Sequence, residues 1–305
     1  MVAFAYNEPM PLSGVFAPLP TPFDDRDELD IARWRAALAR WVESPLAGFV
    51  VLGSNGEAGL IDDREADRVV EEARSAIPST RPLIVGTGRE STAGTIHASR
   101  RAGKLGADAV LVRTPSLFKP QMSADAFLRH YEAVADASPV PVLLYNFAAF
   151  TGVNLLPSTV ATLAQHANIA GIKESGSDLA HISDLVTMTP PGFRVFAGSA
   201  STFFAALGAG VSGGILALAA VLPGPCVDLF DSMRQGRTQD ARDLQRRLLP
   251  VARMISTGFG VPGLKAALRF QGIDVGAPRR PLMPLGPDAL QSIEHTLNLF
   301  KGTYA

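Results

Sequence analysis

Three short stretches of this 305-residue chain place reactive side chains directly behind apolar runs. "IAGIKES" (Ile169–Ser175) brings Lys173 to the end of one run, and "LLYN" (Leu143–Asn146) ends another on Tyr145 and Asn146. "GSNGE" (Gly53–Glu57) follows a third with a hydroxyl in a glycine-bounded turn. An amine, a phenol and a hydroxyl form a chemical set. A lysine amine attacks a keto carbon only in its neutral form, which burial favours. The resulting carbinolamine needs proton transfer, which a fixed tyrosine hydroxyl can perform. A 2-oxo acid also carries a carboxylate, for which Ser54 and the backbone N–H groups of the Ser54-Asn55-Gly56 turn are suited. Each feature alone has a plainer reading: a solvated strand-end charge, a core aromatic, an ordinary turn. Together they point to Schiff-base chemistry on a 2-oxo acid.

Such a set works only if its members meet, so the elements that carry them matter. Apolar runs rich in Val, Ile and Leu read as strands at Gly14–Pro20, Gly48–Gly53, Leu83–Gly88, Ala109–Thr114, Val142–Asn146, Ile169–Glu174, Val195–Ser199 and Gly213–Leu218. They lack polar alternation, as expected of parallel strands covered on both faces. Between them run segments such as "DDREADRVVEEARSAI" and "SADAFLRHYEAVADAS", whose apolar residues recur at spacings of three and four, the mark of amphipathic helices. Eight strands alternating with seven helices predict a closed parallel (β/α)8 barrel, with functional groups at the C-terminal strand ends. The rival, an open doubly wound sheet, would call for a glycine-rich phosphate loop after the first strand, where "TPFDDRDELD" stands instead. We therefore expect an α/β barrel over residues 1–235 and a helical extension over 236–305, written in "TQDARDLQRRLLPVARMI", "PGLKAALRF" and "GPDALQSIEHTLNLF".

Composition narrows the chemistry further. The chain is 47% hydrophobic and 19% charged with a net charge of −1, enough for a large core and too balanced to gather nucleic acid or an anionic membrane. Val195–Val227 contains no charge, but its glycines, prolines and hydroxyls break it into strand, helix and strand rather than a membrane span. The opening "MVAFAYNEPMPLSG" has neither the basic start nor the apolar core of a signal peptide, and we expect a cytoplasmic protein. Cys226 is the single cysteine, in an apolar setting, so it reads as a core thiol. The five histidines fall in helical text, not at strand ends, and no metal is expected.

"GSNGE", "LLYNFAAFTG" and "IAGIKES", in this order along a barrel pattern, make the chain resemble the pyruvate-dependent class I aldolases that include dihydrodipicolinate synthase and N-acetylneuraminate lyase. The resemblance runs from about Gly14 to Leu285, and "FGVPGLKAAL" is similar to that family's C-terminal helices. It implies that Lys173 forms the Schiff base, that Tyr145 shuttles protons, and that Ser54 supports Tyr145 while binding the carboxylate with Asn55. Gly198 and Ile215 stand where the family lines its pyruvate pocket. It implies no cofactor, pyruvate and an aldehyde as partners, and a homo-oligomer, commonly a tetramer of tight dimers.

The departures bear on specificity. The synthase pattern has paired threonines in the first turn, where this chain has Ser54-Asn55; it has a tyrosine pair after the fourth strand, where "TPSLFKP" carries Ser116-Leu117; and it has an arginine where Phe150 stands. A phenylalanine cannot replace a bidentate carboxylate clamp, which disfavours dihydrodipicolinate synthesis and leaves a synthase-type condensation of pyruvate with an aldehyde as the alternative. The chain looks most like the 4-hydroxy-2-oxoglutarate aldolase branch, which cleaves its substrate to pyruvate and a small aldehyde acid. Phe150 beside Leu117 makes an apolar surround for a doubly charged substrate, so either Arg113 or Lys119 supplies the cation or the aldehyde is less polar, as with a 2-oxo-3-deoxy sugar acid or an aryl aldehyde. A barrel that binds 2-oxo acids without turnover is the reading from another class; it would form no reducible adduct.

Overall fold

The computed structural model describes residues 12–304. The reading of the N-terminal stretch as no leader falls mostly outside them. Eight parallel strands close into a barrel in sequence order: β1 Gly14–Pro18, β2 Gly48–Val51, β3 Leu83–Gly86, β4 Ala109–Arg113, β5 Val142–Asn146, β6 Ile169–Glu174, β7 Arg194–Ala197 and β8 Gly213–Ile215. β8 returns to β1, pairing Phe16 with Ile215. Side chains of alternating residues fill the interior: Phe16, Val50, Ile84, Leu111, Leu143, Tyr145, Phe196 and Ile215 form one buried cluster. Phe16 and Phe196 meet edge to face there, 5.6 Å between centroids. The other strand face, with Val51, Val85, Val112, Leu144 and Ile172, packs on the surrounding helices.

The helices follow their sequence signals. The one at Asp63–Ala76 starts at a capping box between Asp62 and Glu65 and buries only Ala66, Val69, Val70 and Ala73. Only β5 and β6 end where the sequence reading put them; the other six strands stop one to three residues earlier, two of them for plain local reasons. β2 stops at Val51 because Leu52 takes a left-handed φ of 55°, turning the chain out of the sheet. The close approach this creates leaves no room for a side chain at Gly86, whose Cβ would stand 1.9 Å from the Leu52 carbonyl oxygen. β8 stops at Ile215 because Ala217–Val221 winds into a short helix. Another short helix, Ala148–Thr151, follows β5.

The charge-free stretch opens as expected with strand, helix and strand, then continues into the helices Ala217–Val221 and Pro223–Arg234 that the sequence reading did not include. Among the described residues no helix is long and apolar enough to cross a membrane. Cys226 is fully buried, and burial pushes its thiol up. After Thr238 come three long helices, Thr238–Arg253, Gly260–Phe270 and Pro287–Tyr304. The second carries a lysine, Lys265, into the core at 2% exposure.

Candidate active site

Strand register places the amine and the phenol side by side. Tyr145 on β5 is the Cα partner of Lys173 on β6, and Lys173 is the partner of Phe196 on β7. Both side chains are buried, at 5% and 4% exposure. The Lys173 Nζ lies 4.4 Å from the centre of the Tyr145 ring, and the amine makes no ion pair among the described residues. The Tyr145 hydroxyl shares a 2.8 Å hydrogen bond with Ser54 Oγ, from the turn after β2. Three strands thus deliver an unpaired buried amine, a phenol and a hydroxyl to one end of the barrel.

The turn itself is doubly closed. The N–H of Gly56 donates to the Gly53 carbonyl at 3.1 Å, and that of Glu57 to the Ser54 carbonyl at 3.1 Å. Ser54 and Asn55 stay partly exposed while Gly56 and Glu57 are buried behind them. Glu57 adopts a left-handed φ of 57°, costing a non-glycine residue roughly 1–2 kcal/mol. What offsets that cost is its side chain. Lys265 Nζ sits 2.6 Å from Glu57 Oε1, and the Arg279 N–H donates to Oε2 at 2.8 Å. Burial pushes Glu57 above the ordinary carboxylate value and Lys265 below the ordinary ammonium value, each working against the other's charge.

Of the remaining sequence candidates, Ile215 lies fully buried in the interior cluster with Tyr145. Gly198 lies against the residue that follows the lysine strand: a Cβ there would stand 2.0 Å from Ser175 Oγ, and its N–H donates to the Glu174 carbonyl at 2.6 Å. Only glycine fits so close a passage. Phe150 is 72% exposed and stacks on Phe147 at 4.4 Å, which in turn stacks on Tyr145 at 6.0 Å. Its position is thus at the open end of an aromatic ladder, with one face in solvent, rather than inside an enclosed pocket. Leu117 and Phe118 are exposed as well.

Sequence reasoning missed a polar cluster behind the lysine. Glu174 points to the outer face of β6, where Asn146 Nδ2 donates to its Oε2 at 2.6 Å and the Gly176 N–H to its Oε1 at 2.5 Å. Asn146 also ties down the next loop, donating to Asn154 Oδ1 and accepting from the Leu155 N–H. His181 Nε2 lies 3.2 Å from Glu174 Oε2, so one of the five histidines set aside in the sequence does reach a strand end. It does so because the helix it sits in begins, capped by Asp178, directly over β6. The signal was the spacing of Glu174 and His181 across one short turn. Among the described residues no group of three or more His, Cys, Asp or Glu is placed to hold a metal.

Glu174 raises His181 above its ordinary value near 6.5. The stability this pair contributes is therefore full below about pH 6.5 and is lost as pH rises through the folded value. We expect the wild-type Tm to fall between about pH 6 and about pH 9 by more than that of His181→Gln. Parallel pH profiles of the two proteins would show the pair to be inert.

The chain matches the dihydrodipicolinate synthetase family over residues 11–299. It belongs to that family. A 4-hydroxy-tetrahydrodipicolinate synthase of Exiguobacterium sp. is 35% identical over 277 residues, covering 91% of this chain and 94% of the relative. A probable mitochondrial 4-hydroxy-2-oxoglutarate aldolase of Emericella nidulans is also 35% identical, covering 90% of each. The crystal structure of YagE from E. coli K12 in complex with pyruvate superposes with a TM-score of 0.90 at 29% identity, over 95% of this chain and 99% of that one. This member of the dihydrodipicolinate synthetase family is accordingly an enzyme of the class I aldolase type, a carbon–carbon lyase or synthase.

Proposed function

We propose that the chain cleaves a 4-hydroxy-2-oxo acid through a Schiff base on Lys173, yielding pyruvate and an aldehyde. The observation that carries this reading is the contact chain from Ser54 Oγ through the Tyr145 hydroxyl to a ring overlain by the Lys173 amine. Ser54 and the N–H groups of the Ser54-Asn55 turn hold the substrate carboxylate, and Gly198 and Ile215 line the pyruvoyl side. The amine adds to the C2 keto carbon, and Tyr145 relays a proton to the departing hydroxyl as water leaves. The iminium then accepts the electron pair of the C3–C4 bond as the C4 hydroxyl gives up its proton and the aldehyde departs. Protonation of the enamine at C3 and hydrolysis release pyruvate. Sodium borohydride with and without pyruvate, followed by peptide mass spectrometry, tests it: the expected result is a pyruvate-dependent adduct on the Lys173 peptide. An unmodified Lys173 at saturating pyruvate would reduce that lysine to a strand-end charge.

The same site run in reverse is a condensation of pyruvate with an aldehyde, and a synthase among the relatives, 35% identical, supports that second reading as well as the aldolase supports the first. Assaying cleavage and condensation on one preparation separates them. The rim bears on the aldehyde. Arg113 is committed to Glu90 at 2.8 Å, and the second Glu90 oxygen accepts the Ser116 and Leu117 N–H groups, each at 2.8 Å. Partial burial would raise Glu90, but those amides and Arg113 outweigh it and hold the carboxyl below its ordinary value. Lys119 makes no ion pair among the described residues, and its ammonium rests on the loop after Phe150: a Cβ on Gly152 would stand 2.9 Å from Lys119 Nζ. Lys119 is thus our candidate for the distal carboxylate. Lys119→Met is expected to raise KM about tenfold for a dicarboxylic substrate and leave an uncharged one unaffected, consistent with one charge-assisted contact of about 1.5 kcal/mol. Equal KM values on the dicarboxylic substrate would remove Lys119 from the pocket. The exposed Leu117, Phe118 and Phe150 support the homo-oligomer implied by the resemblance, which sedimentation would test.

A further inference from the structure

Two charged residues lie in stretches that carry the family resemblance, yet neither takes part in the proposed chemistry: Glu57 closes "GSNGE" and Lys265 sits in "FGVPGLKAAL". They are far apart in sequence and pair with each other in the core, their side chains 1% and 2% exposed. Lys265 Nζ also donates to the Thr21 carbonyl at 2.7 Å and the Ala277 carbonyl at 3.0 Å. The Thr21 hydroxyl in turn donates to the Gly56 carbonyl at 2.7 Å. Arg279, whose N–H holds the other Glu57 oxygen, is itself tied to Glu65 and to the Asp27 and Leu60 carbonyls. Two routes from this network reach the turn, one through Glu57 and one through the Thr21 hydroxyl to the Gly56 carbonyl, directly behind Ser54 and Asn55.

A buried ion pair adds little stability over apolar packing, but it does impose one geometry on the groups it joins. Here the imposed geometry is that of the turn. Gly56 is pressed against neighbouring backbone, where a Cβ would stand 3.0 Å from the Leu52 nitrogen and 3.1 Å from the Leu19 carbonyl oxygen. With Glu57 in the left-handed region, the residues before it have no slack, and the N–H groups proposed to meet the carboxylate are aimed by what lies behind them.

We propose that Lys265 and Thr21 are positioning residues that hold the Ser54-Asn55 turn in its carboxylate-binding shape, making the helix Gly260–Phe270 a working part of the substrate site. This rests on the Schiff-base reading of the site for its substrate, though not for its mechanical content. Because the turn binds the carboxylate and Lys173 does the chemistry, disturbing the turn chiefly raises the pyruvate concentration needed, and lowers the saturated rate only as far as the Ser54–Tyr145 bond is loosened.

The test uses the full chain with Thr21→Val, which removes one hydroxyl at constant shape, and Lys265→Met, which removes the ammonium. Two quantities are read: borohydride trapping as a function of pyruvate concentration, and amide hydrogen exchange over residues 53–57. For Thr21→Val we expect half-saturation at pyruvate concentrations about tenfold higher, a trapping rate at saturation within about threefold of wild type, and faster exchange at the turn. Lys265→Met, where it folds, exceeds it in both half-saturation and exchange. Unchanged half-saturation in Thr21→Val overturns the proposal, as does a drop confined to the saturated rate, and so does unaltered exchange at the turn. If the wild-type chain itself traps no pyruvate, the Schiff-base reading fails, and the exchange measurement alone decides whether the network holds the turn.

Discussion

A Lys173→Met enzyme is expected to form no borohydride-reducible adduct with pyruvate and to lose turnover by at least about 10⁴-fold, while its Tm stays at or above that of the wild type. The two halves of that result have separate causes. The amine is the nucleophile of the proposed reaction, and no other group at the end of the barrel can replace it: the second buried lysine, Lys265, is occupied by Glu57 and two carbonyls. Stability should survive because Lys173 makes no ion pair among the described residues, its amine resting on the Tyr145 ring. A thioether of similar length can lie on that ring and removes the need to accommodate a buried polar group. Measured together, trapping and melting separate loss of chemistry from loss of fold. Turnover retained by a well-folded Lys173→Met protein would defeat the mechanism.

Tyr145→Phe carries the second largest expected effect, a fall of about 10²–10⁴-fold in the rate of imine formation. The ring stays, so the contacts with the Lys173 amine and with Phe147 persist, and only the hydroxyl that bonds Ser54 is lost. Ser54→Ala removes the other end of that bond and should slow the same step less, since the phenol remains to carry a proton. Single-turnover trapping at saturating pyruvate makes the comparison. An imine formed by Tyr145→Phe at the wild-type rate would assign the proton transfers to water or to another side chain.

The barrel was legible because its strands are short apolar runs without alternation and its helices carry a single apolar stripe; an open doubly wound sheet shares both patterns, and the text after the first strand decided between them. Strand ends were less legible. Nothing in "VVLGSNGE" announces that Leu52 turns left-handed, since that conformation is set by backbone packing against Gly86 from the next strand. Lys173 and Tyr145 stood out because they stand at strand ends and Ser54 because it lies in the turn that follows one, which is where a closed parallel barrel gathers its reactive groups. His181 and Lys265 did not, because each lies inside a helix and acquires its partner from the way that helix docks. Phe150 was identified by position, yet its exposure depends on a short helix, Ala148–Thr151, that the run "NFAAFTG" does not advertise.

Glu90 joins β3's loop to β4's loop through Arg113 and the Ser116 and Leu117 amides, and none of those bonds touches the turn after β2 or the lysine strand. The proposed aldehyde rim at Ser116 and Leu117 is therefore anchored separately from Ser54 and Lys173. Leu117 and Phe118 project from that anchored frame, whereas Phe150 stacks through Phe147 onto Tyr145 and belongs to the phenol's side of the site. For directed evolution, this makes Leu117 and Phe118 a library to be randomised together and screened on the assembled protein: the carbonyl partner becomes an interchangeable module, and the amine, phenol and hydroxyl need not be rebuilt for each new aldehyde.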